Sequence, residues 1–463
     1  MRCHIHKSSN ILNVNSSHIP LSFSGTTTNF QQRRKHSLKY YFGVGALVGL
    51  CYGIWEFTNT PSSPFPTEVA DKLKDALWAE SEKENFNSRK ALKFYINALE
   101  QCNISNMDNL SDEYTSIELK IAELYQKLGQ FEEANDMYLE LLARYFSALS
   151  TTDLVEEDRR GTLIRRDLRV LIKSLETNKD LSLGRRNLLA HLLLAQEEVL
   201  SKSPELKNFF EKRKQKTIDI FNGKSTKEPF EFKTYVNEEN IKVNEDGYMT
   251  LNMNHNSSAW EPFKEEFFTA RDLYTAYCLS AKDITAALGC KMTTVEWMVM
   301  ADMPPSQILL SQANLGSLLY LQAEKFAAEA DELQSKLNEA TIGNDESREL
   351  AIDLRTISSN KERSLKMASQ CYESVIDFAK KNKKLRFKIK EELDPSASQA
   401  IALSTYGIGV LSIQNGSFAK AENLLKEAIS LANDTGFVEL LSEASLELDK
   451  LTDRKAKFSN LSK

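Results

Sequence analysis

Six cysteines and six histidines are the side chains with most chemistry to offer. Their spacing offers little. Cys3, Cys51, Cys102, Cys278, Cys290 and Cys371 form no CxxC pair and no twin Cx9C frame, and the closest pair, Cys278 and Cys290, has no histidine nearby. A zinc site or a disulfide scaffold needs such pairing, so neither is expected. His191 sits in an apolar helical stretch and His255 in a polar one; both read as structural or incidental. There is no HExxH for zinc-dependent hydrolysis and no GxSxG nucleophile elbow. Gly223-Lys224-Ser225-Thr226 ends like a phosphate loop, but Ile218 stands where the first glycine belongs, after a lysine-rich helix instead of a strand. That match is chance. The expectation is a protein without catalytic residues, metal or cofactor.

What remains to be positioned is surface, and the elements that carry it are helices. From Val69 onward apolar residues recur at i, i+3, i+4 and i+7, the helical period. An internal repeat overlies it. In the tetratricopeptide pattern, small residues at fixed places let two antiparallel helices pack closely. Residues 117–142 fit with Ala122, Tyr125, Gly129, Phe131, Ala134, Tyr138 and Leu141. A looser unit precedes, with Ala79, Phe86, Ala91, Tyr95 and Ala98. Residues 403–432 fit again through Gly409, Gly416, Phe418, Ala421, Leu425 and Ala428. A fourth unit pairs Leu315-Gly316 with Ala368, Tyr372 and Val375, split by a charged helical insertion at 324–363. The predicted fold is an all-α, tetratricopeptide-like solenoid of helical hairpins behind a single N-terminal transmembrane helix.

Between the repeats, residues 154–176 carry a stripe of Leu163, Ile164, Leu168, Leu171 and Leu175, and residues 187–200 are apolar enough to be buried on most faces. Ser203-Pro204-Glu205 marks a helix start. Residues 223–257 read as an irregular excursion with short strand-like runs such as Tyr248–Met253. Ser258-Ala259-Trp260-Glu261 has the form of a capping box opening a helix with Phe263, Phe267, Ala270, Tyr274 and Tyr277 on one face. The Met- and Trp-rich run 293–305 suits an adaptable apolar groove, although core packing is the commoner use of such residues. The domains are thus 69–222 and 258–453, with a tail at 454–463.

The N-terminal part is of a different kind. Tyr40–Trp55 is sixteen uncharged residues, with tyrosines at one end and a tryptophan at the other. It reaches spanning length when Lys39 snorkels and the helix runs to Phe57. Gly45, Gly49 and Gly53 fall four apart, a small-xxx-small ridge for close packing of another membrane helix. Residues 1–39 are basic, acid-free and hydroxyl-rich, as a mitochondrial presequence is. Arg33, Arg34, Lys35 and Lys39 stand just before the span, which holds the N-terminus on the matrix side. Residues 58–68, with Pro61, Pro64 and Pro66, form a stiff linker. A secretory signal-anchor is the alternative, with Asn109 and Asn415 as glycosylation acceptors. The first 55 residues hold six of the 59 basic side chains and none of the 65 acidic ones, leaving 53 against 65, a net −12, for the rest. An acidic body of this kind argues against nucleic acid as a partner.

Several long stretches, among them Leu110–Leu128, Ser257–Ser280, Val295–Lys325 and Ile401–Ser412, resemble the tetratricopeptide-bearing adaptor subunits of the yeast mitochondrial i-AAA protease complex. The likeness runs from about residue 67 to 445. It implies an inner-membrane protein whose repeats lie in the intermembrane space. It also implies work beside a second small membrane adaptor to bring unfolded or membrane polypeptides to a hexameric ATP-dependent protease. No catalytic residues come with the resemblance. Other classes stay in view: an outer-membrane import receptor or co-chaperone, an assembly scaffold, or an enzyme on a helical frame. The receptors hold a carboxylate with Lys and Asn at two clamp positions, where this chain has Ala76 and Glu80.

Overall fold

The computed structural model describes residues 64–81, 85–151, 154–221, 236, 239–245, 249–251, 257–339, 345–382 and 394–461. The predicted presequence, membrane span and most of the linker lie outside them. So do Gly45, Gly49, Gly53 and the Gly223–Thr226 fragment. Among the described residues no helix is long and apolar enough to cross a membrane.

Fourteen helices carry the described fold. They are α1 (Thr67–Ala79), α2 (Ser88–Ile104), α3 (Asp112–Lys127), α4 (Phe131–Ser150), α5 (Glu157–Ser174), α6 (Leu181–Lys202), α7 (Pro204–Phe221) and α8 (Lys264–Ser280). Then come α9 (Ile284–Met300), α10 (Pro305–Glu339), α11 (Asp345–Lys381), α12 (Pro395–Gln414), α13 (Phe418–Thr435) and α14 (Val438–Leu461). A short antiparallel pair, β1 (Ile241–Val243) and β2 (Met249–Leu251), sits in the predicted excursion, with Lys242 opposite Thr250.

Local chemistry sets the helix starts. Side chains of Asn87, Ser111, Asp180, Asp283 and Asp394 accept from first-turn backbone N–H groups of α2, α3, α6, α9 and α12, satisfying donors that have no partner within the helix. Ser203 does the same for α7 through Leu206 N. The turn from α3 to α4 passes through Gly129 at φ +77°, and that from α12 to α13 through Gly416 at φ +71°. A Cβ at either would meet nothing within 4 Å, so the backbone angle, not space, calls for glycine.

The chain forms two compact units. The first takes in the described residues up to Arg213 together with those between 257 and Lys282. Here Val69, Leu73, Ala76 and Ala79 of α1 pack on Ala91, Tyr95, Ala98 and Cys102 of α2 and on Ile117, Ile121 and Leu124 of α3. Neighbouring helices in sequence pack on one another through α6, and α8 joins α5 and α6. Residues after 258 therefore contribute a helix to the N-terminal unit.

The expected capping box does not start α8. Ser257–Trp260 is a 3-10 turn, Pro262 follows, and the α-helix begins at Lys264. Proline disfavours helical backbone in the residue before it, here Glu261. Phe263, Phe267 and Ala270 are buried as expected, while Tyr274 and Tyr277 are half-buried. On α5 the stripe Leu163, Ile164, Leu168 and Leu171 is buried. On α6 the expectation of burial on most faces fails: Leu189 and Leu193 are exposed.

The second unit contains β1, β2 and α9–α14. Its interior is built on two long uncharged stretches, 303–323 and 395–419, both longer than Tyr40–Trp55. Ile308–Tyr320 of α10 and Ala400–Ser412 of α12 are buried at every position. The Met- and Trp-rich run is core: Val295, Trp297, Met298, Val299, Met300 and Met303 are all buried. Beyond Ala323 and before Ser364, α10 and α11 continue with no buried position among the described residues. The charged insertion is thus a helical hairpin extending a packed one.

Candidate functional site

Many of the predicted repeat positions are buried. Ala79, Ala91, Tyr95 and Ala98 are buried at the α1–α2 contact, and Ala122, Ala134, Tyr138 and Leu141 at the α3–α4 contact. Tyr125 is half-buried and Phe131 exposed. In the last hairpin Ala421, Leu425 and Ala428 of α13 are buried, and Phe418 is half-buried. A Cβ on Gly409 would lie 3.2 Å from Leu425 Cδ2. In the first hairpin, which lacks a turn glycine, Asn85 and Phe86 take φ of +54° and +51°, and Phe86 is exposed.

Gly316 and Tyr372 of the predicted split unit meet in space. Tyr372 of α11 is fully buried between glycines of two other helices. A Cβ at Gly316 of α10 would lie 2.7 Å from its ring, and one at Gly407 of α12 2.5 Å from Tyr372 Cε2. The Tyr372 hydroxyl donates to Ser317 Oγ at 3.1 Å, and burial holds its phenol above the usual range.

Charge is paired where it is buried. Glu80, at the end of α1, accepts from the Tyr95 hydroxyl at 3.1 Å and pairs with Lys120 at 3.2 Å and Lys127 at 3.8 Å. Arg144 of α4 grips Glu118 of α3 with two hydrogen bonds, 2.7 and 2.9 Å, and donates to the Asn109 carbonyl at 3.0 Å. Burial lifts the Glu118 carboxyl above its ordinary value despite Arg144 beside it. Asp167 of α5 and His191 of α6 meet at 2.7 Å between Oδ2 and Nδ1, both buried. Burial raises the Asp167 carboxyl, opposed by His191, and its Oδ1 has no partner. The Glu118–Arg144 and Asp167–His191 pairs join residues 26 and 24 apart on different helices, a relation without a sequence signature.

A cleft of about 470 Å³ opens in the first unit where the α2–α3 turn meets the start of α5. Leu110, Leu154, Val155 and Leu163 give it apolar surface, and Asp108, Glu156, Asp158, Arg159 and Arg166 give it charge of both signs. It has no nucleophile–base pair. Among the described residues no three His, Cys, Asp or Glu side chains come together as a metal site. Cys102, Cys278 and Cys371 are buried thiols and Cys290 is half-buried.

The MGR3 middle domain family matches residues 152–303. The Saccharomyces cerevisiae protein named mitochondrial inner membrane i-AAA protease supercomplex subunit MGR3 is 53% identical over 455 residues, covering 97% of this chain and 90% of the relative. A second protein of that yeast, Protein MRG3-like, is 35% identical over 423 residues, 91% of this chain and 89% of its own. A solved circular tandem repeat protein covers 85% of this chain and 90% of its own at 15% identity and a TM-score of 0.19, too slight to bear on the fold. With near-complete coverage on both sides at such identity, the chain belongs to the MGR3 family.

Proposed function

We propose that this chain is a non-catalytic adaptor of the mitochondrial inner-membrane i-AAA protease. In this reading residues 40–57 anchor it, with the N-terminus in the matrix and the repeats in the intermembrane space. The repeats capture unfolded or membrane polypeptides and hand them to the protease hexamer beside a second membrane adaptor. The observation that carries it is the 53% identity to a named subunit of the i-AAA supercomplex. The two-signed cleft between the α2–α3 turn and α5 is the candidate capture site. Capture must be weak enough to permit release, and tethering compensates by raising effective concentration to about the millimolar range. Proteolysis and ATP belong to the protease.

The import-receptor reading finds less support. At its clamp positions Ala76 is buried and Glu80 is tied to Tyr95, Lys120 and Lys127, so nothing there receives a carboxylate. The test is affinity purification from detergent-solubilised mitochondria, comparing the native chain with one carrying Gly45→Leu, Gly49→Leu and Gly53→Leu. Recovery of the protease by the native chain and its loss with the variant supports an adaptor docked through the membrane. Equal recovery moves docking to the repeats. Absence of the protease from both defeats the adaptor reading.

A further inference from the structure

Helix α6 carries leucines on two faces. Leu188, Leu192, Ala195 and Val199 fill the interior of the first unit. On the other face Leu189 is 42% exposed and Leu193 53%. Flanking them are Arg186 and Glu197, both exposed. Neither has an ion partner among the described residues. The four lie at i, i+3, i+7 and i+11, one ridge along one face, about 16 Å from end to end. Helices with apolar residues on more than one face belong in interiors, yet the described residues leave Leu189 and Leu193 of α6 uncovered.

The order of side chains on the ridge says what covers the rest. Read forward it is Arg–Leu–Leu–Glu; read backward, Glu–Leu–Leu–Arg. Turned about a point between Leu189 and Leu193, the ridge is its own complement in charge and shape, which is what a two-fold interface demands. Arg186 and Glu197 are too far apart along one helix to pair with each other. We propose that this face is covered by α6 of a second copy of the chain, packed antiparallel. Leu189 then meets Leu193 of the partner subunit, and Arg186 pairs with Glu197 of the partner subunit, twice by symmetry. A single helix pair falls below the size of a stable protein interface. The contact therefore forms where copies are concentrated, as on a shared membrane or complex. It rests on the membrane anchoring of the proposed function but not on substrate capture.

Charge exchange tests it. Two differently tagged full-length copies are co-expressed and crosslinked at short range in intact membranes, where copies are concentrated, then solubilised in denaturing detergent; one tag is captured and the other measured. Arg186→Glu in both copies removes two ion pairs and sets like charges opposite one another, so recovery of the second copy falls about tenfold. Glu197→Arg does the same. The double variant Arg186→Glu/Glu197→Arg restores recovery, because the exchanged charges face each other again across the two-fold. Thermal melts of each variant confirm an intact fold, since all these side chains are exposed. Failure of native copies to co-purify, recovery unchanged by the single reversals, or no rescue by the double overturns the proposal. So does loss of a different protein with the second copy retained, which would assign the face to another partner.

Discussion

Gly407→Ala adds one methyl group where Tyr372 has no room to yield. The new Cβ would lie 2.5 Å from Tyr372 Cε2 and 2.8 Å from Cδ2, inside any real carbon–carbon contact. The ring cannot retreat, because Gly316 backs its other side and its hydroxyl is held by Ser317. Overpacking of a closed core costs roughly 1–3 kcal/mol, and a trapped ring belongs at the upper end. Alanine returns about 1 kcal/mol of helix propensity. The net loss is about 2 kcal/mol, which lowers the melting temperature of a unit this size by roughly 4–8 °C. Denaturation of the full chain in detergent, followed by near-ultraviolet circular dichroism, measures it. Gly289→Ala is the control: its Cβ meets nothing within 4 Å, so it should raise stability by up to about 1 kcal/mol. Gly407→Ala combined with Tyr372→Leu should cost clearly less than the two changes summed, since the smaller side chain vacates the clash. A Gly407→Ala protein as stable as the native one would refute the account of Tyr372 as a trapped wedge.

Gly129→Ala should destabilise by about 1 kcal/mol with no clash at all, through the left-handed backbone alone, and Gly129→Asn should recover most of that loss in the same melts. Arg144→Ala strands a buried carboxylate and should cost about 3 kcal/mol; Arg144→Ala/Glu118→Gln should be milder, and equal losses would deny the coupling. Asp167 has its carboxyl raised in the folded state by burial, so the native chain loses stability as pH climbs from the ordinary aspartate value toward the raised one. Asp167→Asn does not titrate, so its stability relative to the native chain should improve over that rise; urea midpoints that keep a constant difference across pH would contradict this.

Much of the frame was legible because it rests on local rules. Gly129 and Gly416 announce the turns between paired helices, and Ala122, Ala134, Ala421 and Ala428 announce close helix contact. Both signals depend on neighbours in sequence. The misreadings have equally physical causes. Ser258 and Glu261 have capping-box spacing, but Pro262 bars a helix from running through them. Leu189 and Leu193 look like core because periodicity counts apolar residues without counting how many helices arrive to cover them. The Tyr372 wedge and the Glu118–Arg144 and Asp167–His191 pairs depend on which helices become neighbours, and no local window contains that. The candidate cleft was invisible for the same reason, being assembled from a turn near residue 109 and a helix start near 157.

On the proposed intermembrane-space placement, the two uncharged interior helices have a consequence for how the chain would cross the inner membrane. A protein threaded through a lipid bilayer is sampled segment by segment, and α12, with no charge from Pro395 to Ala419, would be a natural place for transit to halt. Its own composition would oppose this. Ser396, Ser398, Gln399, Ser404, Thr405 and Ser412 punctuate α12, as Ser311, Gln312, Asn314, Ser317 and Gln322 punctuate α10. Each such residue disfavours lateral escape into lipid, where leucine would promote it. In the folded unit, backbone carbonyls answer several of them: Thr405 donates to Ile401 O at 2.9 Å and Ser412 to Ile408 O at 2.8 Å. Thr405 and Ser412, which would disfavour lodging in lipid, are accommodated in the folded interior by these bonds.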